Sequence, residues 1–138
     1  MKQNRSIPDT PVIPVLRYAD VRAAAAWHVK AFGFRERLRI FDHRIQMMTE
    51  FGGAFVVSDG AGEMDATSHT IMARVSDARA HCERARAAGA VIQNEPEDHP
   101  YGECQYSALD IGGHRWTFSE TIADVDPADW GGELVSNE

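Results

Sequence analysis

The sequence has few cysteines, few basic residues and no long apolar segment. Cys82 and Cys104 have the spacing of neither a metal knuckle nor a redox pair, so buried reduced thiols are favoured over a disulfide. The 14 Lys and Arg against 21 Asp and Glu leave a net charge of -7, which argues against a nucleic-acid partner. The first ten residues form a polar arm without the apolar region of a signal peptide, and no apolar run approaches the roughly 20 residues of a membrane span. We therefore expect a cytoplasmic protein with no membrane partner.

The 138 residues suffice for one domain with a substantial core, and short strand-like runs alternate with helical patterns. Asp20 is placed to cap a helix and Gly33 to end it. The elements predicted for the first half are a strand at 12–18, a helix at Val21–Phe32, and strands at 34–41, 44–50 and Ala54–Ser58.

The second half begins the same order of elements again. We predict a strand at 69–75, a helix at 78–88 capped by Asp77, a short strand at 90–94, a long loop at 95–102, and strands at 103–110 and 114–120. The resulting organisation is a single domain over 1–138, with module one at about 11–59, a linker at 60–68, module two at about 69–120 and an acidic tail at 121–138. We expect Trp130 in that tail to dock on the body of the protein or on a partner subunit.

The two halves are an internal repeat. Arg17 and Asp20 align with Arg74 and Asp77 at an offset of 57 positions, and Gly52-Gly53 aligns with Gly112-Gly113 at an offset of 60. Each half is thus a strand, a helix and three more strands. The sequence predicts an α+β fold of two βαβββ modules.

This arrangement, with DIGGHRWTFSE at 110–120 and WHVKAFGF at 27–34, resembles the vicinal oxygen chelate superfamily over residues 11–122. That superfamily includes glyoxalase I, bleomycin-resistance proteins, fosfomycin-resistance enzymes and extradiol dioxygenases. The tail around Asp124 and Trp130 is similar to a glyoxalase-like or PhnB-like subgroup. The resemblance implies cupped mixed sheets with the helices outside and a homodimer. It leaves open whether each cup forms within one chain or between two.

In the metal enzymes of that superfamily, the first and last strands of each module supply the ligands, commonly His, Gln or Glu. The repeat places those positions at Ile13, Thr70, Val57 and Thr117. None of the four side chains is a carboxylate or an imidazole, so we expect no metal cofactor. The weak alternative is a divalent metal held by His69, which a one-residue shift of register would turn into the cup.

Alternation along the strands predicts an apolar cup with a few Arg and hydroxyl groups, either open as a small-molecule pocket or filled as core. The resemblance implies that the loop with Tyr101 borders the mouth of the cup, where Tyr101 would be a ligand contact or a surface anchor. Trp116 and Phe118 are expected on the opposite face against the helices, and His114 in a turn bonded to backbone. The predicted cavity residues are Ile13, Val15, Arg17, Phe55, Val57, Thr70, Met72, Arg74, Tyr101, Arg115 and Thr117, with Ser119 further along the same strand.

Two functions follow from the resemblance. The first is binding of a small organic molecule in the cup without metal-dependent turnover, and it assigns no catalytic residue. The second is a metal-dependent lyase, isomerase or dioxygenase of the glyoxalase type with unusual ligands, His69 together with His99 or Glu103. The acidity of the chain suits a cationic ligand, whereas unpaired arginines in the cup would oppose one.

Overall fold

A computed structural model describes residues 2–61 and 69–134, and in it each half of the chain is a βαβββ module. Module one contains β1 (Val15–Arg17), α1 (Val21–Phe32), β2 (Arg35–Ile40), β3 (Arg44–Met48) and β4 (Ala54–Ser58). Module two contains β5 (Ile71–Arg74), α2 (Ala78–Ala87), β6 (Val91–His99), β7 (Glu103–Leu109) and β8 (Arg115–Thr121). Short 3₁₀ turns lie at Glu50–Gly52 and Pro127–Trp130. The predicted α+β fold is confirmed, while most of the predicted linker lies outside the described residues.

Each module forms one four-stranded mixed sheet, in the orders β1-β4-β3-β2 and β5-β8-β7-β6. The first pair of each sheet is parallel and the others are antiparallel. Both helices begin at the predicted caps, since Asp20 accepts from the Ala23 N–H and Asp77 from the Ala80 N–H, each at 3.0 Å. No helix in the described part of the chain is long and apolar enough to cross a membrane.

The modules meet through their helices and through the helix-facing sides of their sheets. Trp27 donates from Nε1 to the Ala88 carbonyl at 3.0 Å, which ties α1 to the end of α2. Trp116 of β8 is fully buried and its ring lies 4.9 Å from that of Phe55 of β4. Cys82 and Cys104 are free and buried in the same core, as predicted. The other face of each sheet, the helix-free face, therefore lies outside this shared core.

Strand β6 is longer than predicted. The stretch after Asn94 was expected to be a loop, but pairing with β7 continues to His99, after register shifts around Asn94 and Glu97. Because β6 is an edge strand, it accepts polar side chains and Pro96 without an apolar alternation. The sequence of this stretch therefore lacks the alternation of apolar and polar residues from which a strand is predicted.

The alignment of the two halves is wrong by one residue in the last strand of each module. Gly52 and Gly113 occupy the same left-handed position, with φ of 82° and 84°. The offset at this turn is therefore 61 rather than 60 positions. The two turns have the same length, since the pairing of β3 with β4 ends at Met48 and Ala54 and that of β7 with β8 ends at Leu109 and Arg115, so the two Gly-Gly pairs are out of step by one residue. In the strand pairing Val15 lies opposite Val56, as Met72 lies opposite Thr117.

This shift reverses the faces of β4. Phe55 and Val57 are 2% and 0% exposed and pack in the core, so the strand face predicted for them is wrong. A one-residue change of register moves every side chain of a strand to the other face. Val56 and Ser58 take the helix-free face instead.

Candidate functional site

The helix-free face of module one, called face one, consists of aligned rows across β1, β4 and β3. Val15, Val56 and Gln46 form one row, and Arg17, Ser58 and Arg44 form the next. The predicted residues Val15 and Arg17 lie here. Ile13 precedes β1 and is half-buried.

The N-terminal arm crosses face one. The amide of Gln46 donates to the Ser6 carbonyl at 2.8 Å, and the guanidinium of Arg37 donates to the Arg5 carbonyl at 2.9 Å. Arg37 also donates to Gln46 Oε1 at 2.6 Å, and Pro8 of the arm is buried. Polar composition alone indicated a loose arm, but these contacts anchor it on the sheet.

The anchored arm should resist trypsin, which cleaves after Arg5. The Arg5 carbonyl is hydrogen-bonded to Arg37, so the arm must detach before the protease can bind it. Gln46→Leu removes the donor to Ser6 and the acceptor that orients Arg37. With about 1 kcal/mol per lost hydrogen bond, we expect cleavage after Arg5 to accelerate roughly 5-fold or more. Timed digestion followed by mass spectrometry measures the rate. Gln93→Leu on the exposed edge strand is the matched control, and equal rates in Gln46→Leu and the wild type would contradict the anchored arm.

The helix-free face of module two, called face two, brings together several predicted residues. Met72 and Thr117 lie in one row, and Arg74 and Ser119 in the next. Arg115 follows on the same side of β8, because the intervening Trp116 and Phe118 point into the core as predicted. Thr70 lies before β5 and is exposed. That these residues bind a ligand stays a prediction.

A directional chain of hydrogen bonds crosses face two. Tyr101 donates to Gln105 Oε1 at 2.7 Å, and Gln105 Nε2 donates to Ser119 Oγ at 3.0 Å. Ser119 in turn donates to Glu103 Oε1 at 2.6 Å. The carboxylate accepts only, so it fixes the direction of every bond in the chain. Gln105 was missed from the sequence, although it alternates on β7 in register with Ser119.

Tyr101 is also part of an aromatic group at the end of face two. The Tyr101 ring stacks on the His99 ring, with their centroids 5.0 Å apart. The centroid of the Trp130 ring lies 5.5 Å from that of Tyr101. Trp130 thus docks on the body of its own chain, one of the two predicted options, and remains 45% exposed.

Two clefts of ligand-binding size lie beside the faces. One, of about 540 Å³, is lined by Met72, Arg74, Glu103, Ser119 and Phe55 among others. The other, also about 540 Å³, is lined by Val15, Arg17, His69 and His114 among others. Of the predicted cavity residues, these clefts take up Val15 and Arg17 on one side and Phe55, Met72 and Arg74 on the other.

The donor set does not fit the metal ion of the resembled enzymes. With the corrected register, the corresponding positions are Ile13, Thr70, Val56 and Thr117, which include no imidazole or carboxylate. The alternative set is not assembled either, since His69 lies beside His114 at 6.3 Å between rings, whereas His99 stacks on Tyr101. Within residues 2–61 and 69–134, no three His, Cys, Asp or Glu side chains are grouped to hold a metal.

A buried cluster of hydrogen-bonded side chains, centred on Asp110, joins the two modules. Asp110 accepts from Tyr18 at 2.5 Å and from Trp116 Nε1 at 3.0 Å. Burial would raise the pKa of Asp110, but hydrogen bonds from His28, Tyr18 and Trp116 outweigh burial and lower it. Burial lowers the pKa of His28, whose Nε2 lies 2.8 Å from the Tyr18 hydroxyl. His114 bonds the Arg17 carbonyl at 2.9 Å, which confirms its predicted bond to backbone.

Comparison with solved structures finds the same fold in several proteins. TioX from Micromonospora sp. ML1 is 30% identical, with 85% of this chain and 100% of that chain covered and a TM-score of 0.68. A mutant of the fosfomycin resistance protein FosX from Listeria monocytogenes, complexed with Mn(II) and 1S,2S-dihydroxypropylphosphonic acid, is 14% identical, with 81% and 90% covered and a TM-score of 0.66. The hypothetical protein SA1046 from S. aureus is 15% identical, with 83% and 95% covered and a TM-score of 0.66.

The sequence matches no curated protein. A family model, in contrast, matches residues 12–118, which span both modules from the chain before β1 into β8. This match and the similarity to TioX agree with the two βαβββ modules. The chain therefore belongs to the Glyoxalase/Bleomycin resistance protein/Dioxygenase superfamily.

Proposed function

We propose that this protein binds a small organic molecule on its helix-free faces without metal-dependent turnover. The observation that carries the proposal is the hydrogen-bonded chain from Tyr101 to Glu103. It preorganises polar groups beside a cleft of about 540 Å³ that also presents Met72 and Arg74. The residues at the family's metal positions support a binding role, because none of them is a strong metal ligand.

A second copy of the chain is proposed to complete the site. The helix-free faces are open in part, since Val15 beside the N-terminal arm and Met72 on face two are 44% and 63% exposed. In a two-fold dimer, face one of each subunit would cover face two of the other, giving two equivalent cups. A cytoplasmic location and membership of the PhnB-like subgroup belong to the same proposal, the latter on the basis of the tail around Trp130.

Binding is tested by isothermal titration of untagged protein with a panel of antibiotics and metabolites. For any ligand that binds, Gln105→Leu is expected to weaken affinity about tenfold, because it interrupts the chain between Tyr101 and Ser119. Gln93→Leu, on the neighbouring edge strand, is expected to leave affinity unchanged. A ligand whose affinity is the same in Gln105→Leu and the wild type does not bind on face two.

The metal-dependent lyase, isomerase or dioxygenase remains the competing outcome of the same measurements. Stoichiometric Fe, Zn, Mn or Ni in protein purified without a histidine tag would overturn the proposed function. Product formation that depends on an added divalent metal would do the same.

A further inference from the structure

The arginines of the helix-free faces have no carboxylate partner among the described residues, a property that Arg84 on α2 shares. Outside these faces, Arg22, Arg39, Arg79 and Arg86 each pair with an Asp or Glu. Among the described residues, Arg17, Arg44 and Arg74 have no such ion pair. Their charge is therefore available to an anion from solution, although the chain as a whole has 21 acidic and 14 basic residues.

Two of these arginines lie in a single row of face one. Arg17, Ser58 and Arg44 are direct partners across β1, β4 and β3. Neighbouring strands are about 4.8 Å apart, so the two arginine Cα atoms lie about 10 Å apart on either side of Ser58. Ser58 is 3% exposed and forms the floor between them. Both long side chains can reach one group placed above that floor.

The donors of this row are mostly unused. Arg17 makes one hydrogen bond, from Nη1 to the Asp59 carbonyl at 3.3 Å, and a guanidinium has five N–H groups. No hydrogen bond or ion pair joins the Arg44 side chain to the described residues. The β1, β3 and β4 residues on face one contribute no carboxylate. Guanidinium groups in such a setting favour carboxylate and phosphate oxygens, which they bind through paired N–H donors.

The repeat shows that this row is specific to module one. Its counterpart in module two consists of Arg74, Ser119 and Gln105, so one arginine is replaced by an amide. There the serine hydroxyl donates to Glu103, a carboxylate that would repel an anion. The same strand positions are therefore cationic in module one and mixed in module two.

We propose that Arg17, Ser58 and Arg44 form an oxyanion subsite, which binds a carboxylate, phosphate or sulfate group of the ligand. The inference rests on the proposed function for the remainder of the ligand, whereas the anion contact is tested by itself. It selects anionic over cationic organic molecules, despite the net charge of -7 on the chain.

The test is an NMR titration of the full chain with inorganic phosphate, phenyl phosphate, benzoate and neutral benzamide at constant ionic strength. We expect saturable shifts of the β1, β3 and β4 amides with the anions and none with benzamide. Arg17→Gln and Arg44→Gln are each expected to weaken anion binding about tenfold. Arg39→Gln removes the same charge from the same module at an arginine paired with Glu36, and should change affinity less than about twofold.

Each other outcome is decisive. Equal losses in Arg39→Gln and Arg44→Gln would show general charge attraction and overturn the subsite, as would benzamide binding as tightly as benzoate. Absence of binding by all three anions to the wild-type protein would also overturn it. If organic ligands bind but are indifferent to Arg17 and Arg44, the proposed function stands and the subsite fails. If only inorganic phosphate binds, and depends on both arginines, the subsite stands and organic-ligand binding fails.

Discussion

Replacing Asp110 by alanine is expected to lower the free energy of unfolding by about 3–5 kcal/mol. The Asp110 side chain is fully buried and accepts hydrogen bonds from Tyr18, from Trp116 and from the backbone N–H groups of Gly112 and His114. Alanine would leave the Trp116 indole N–H and the backbone N–H of buried His114 without their acceptor, and each orphaned group adds a desolvation cost. Urea unfolding monitored by tryptophan fluorescence measures the loss.

Two variants sharpen the Asp110 prediction. Asp110→Asn keeps the shape of the side chain, but an amide has only one acceptor oxygen. Its NH₂ group would face either the backbone N–H donors or the Tyr18 and Trp116 donors, so we expect most of the loss of unfolding free energy to persist. Asp42→Ala removes an exposed carboxylate paired with Arg22 and should leave stability nearly unchanged. A loss at Asp110→Ala no larger than that of Asp42→Ala would show that the junction does not depend on this carboxylate.

Acidification is expected to destabilise the protein from about pH 6.5 downward, and His28 is the main cause. Burial lowers the pKa of His28 from its ordinary value of 6.5. Below that value the unfolded chain takes up a proton that the folded chain does not, so stability falls as pH falls. Each such histidine contributes up to about 1.4 kcal/mol per pH unit. His81, whose pKa is also lowered mainly by burial, adds to the same trend.

Protonation of Asp110 is expected to lower the stability of the fold further at still lower pH. Its folded-state pKa is lowered, so its stabilising contribution is present above the ordinary value of 3.8 and disappears as pH falls below that value. Urea titrations between about pH 7.5 and about pH 4.5 isolate the histidine part. His28→Gln keeps an N–H donor near Tyr18 and should flatten the profile, whereas His43→Gln in an exposed turn should not. A wild-type stability that is constant or rises over this range would refute the assignment.

The parts of the fold that depend on neighbouring residues were predictable. Helix α1 has the predicted bounds because its capping Asp20 and its terminal Gly33 act within one turn of the helix. Strand β6 was cut short because an edge strand tolerates polar residues and Pro96, so its pattern carried no apolar alternation.

The candidate site was predictable only in part. Met72, Arg74, Arg115 and Thr117 share face two as alternation predicted. On β4 the same reasoning selected Phe55 and Val57, which lie in the core. The cause is that the Gly-Gly pairs of the two halves are not equivalent, because Gly52 aligns with Gly113, and the doubled glycines concealed this shift of one residue.

By itself, the sequence determined the two βαβββ modules, the helix caps and the lack of strong metal ligands at the family positions, because each of these depends on local spacing or on residue type. Only the tertiary structure decided which side of β4 faces outward, that the N-terminal arm crosses face one, and that Tyr101, Gln105, Ser119 and Glu103 form one chain of hydrogen bonds. It also decided which arginines have carboxylate partners. Those features join residues from different strands, and their contacts depend on register and packing rather than on neighbours along the chain.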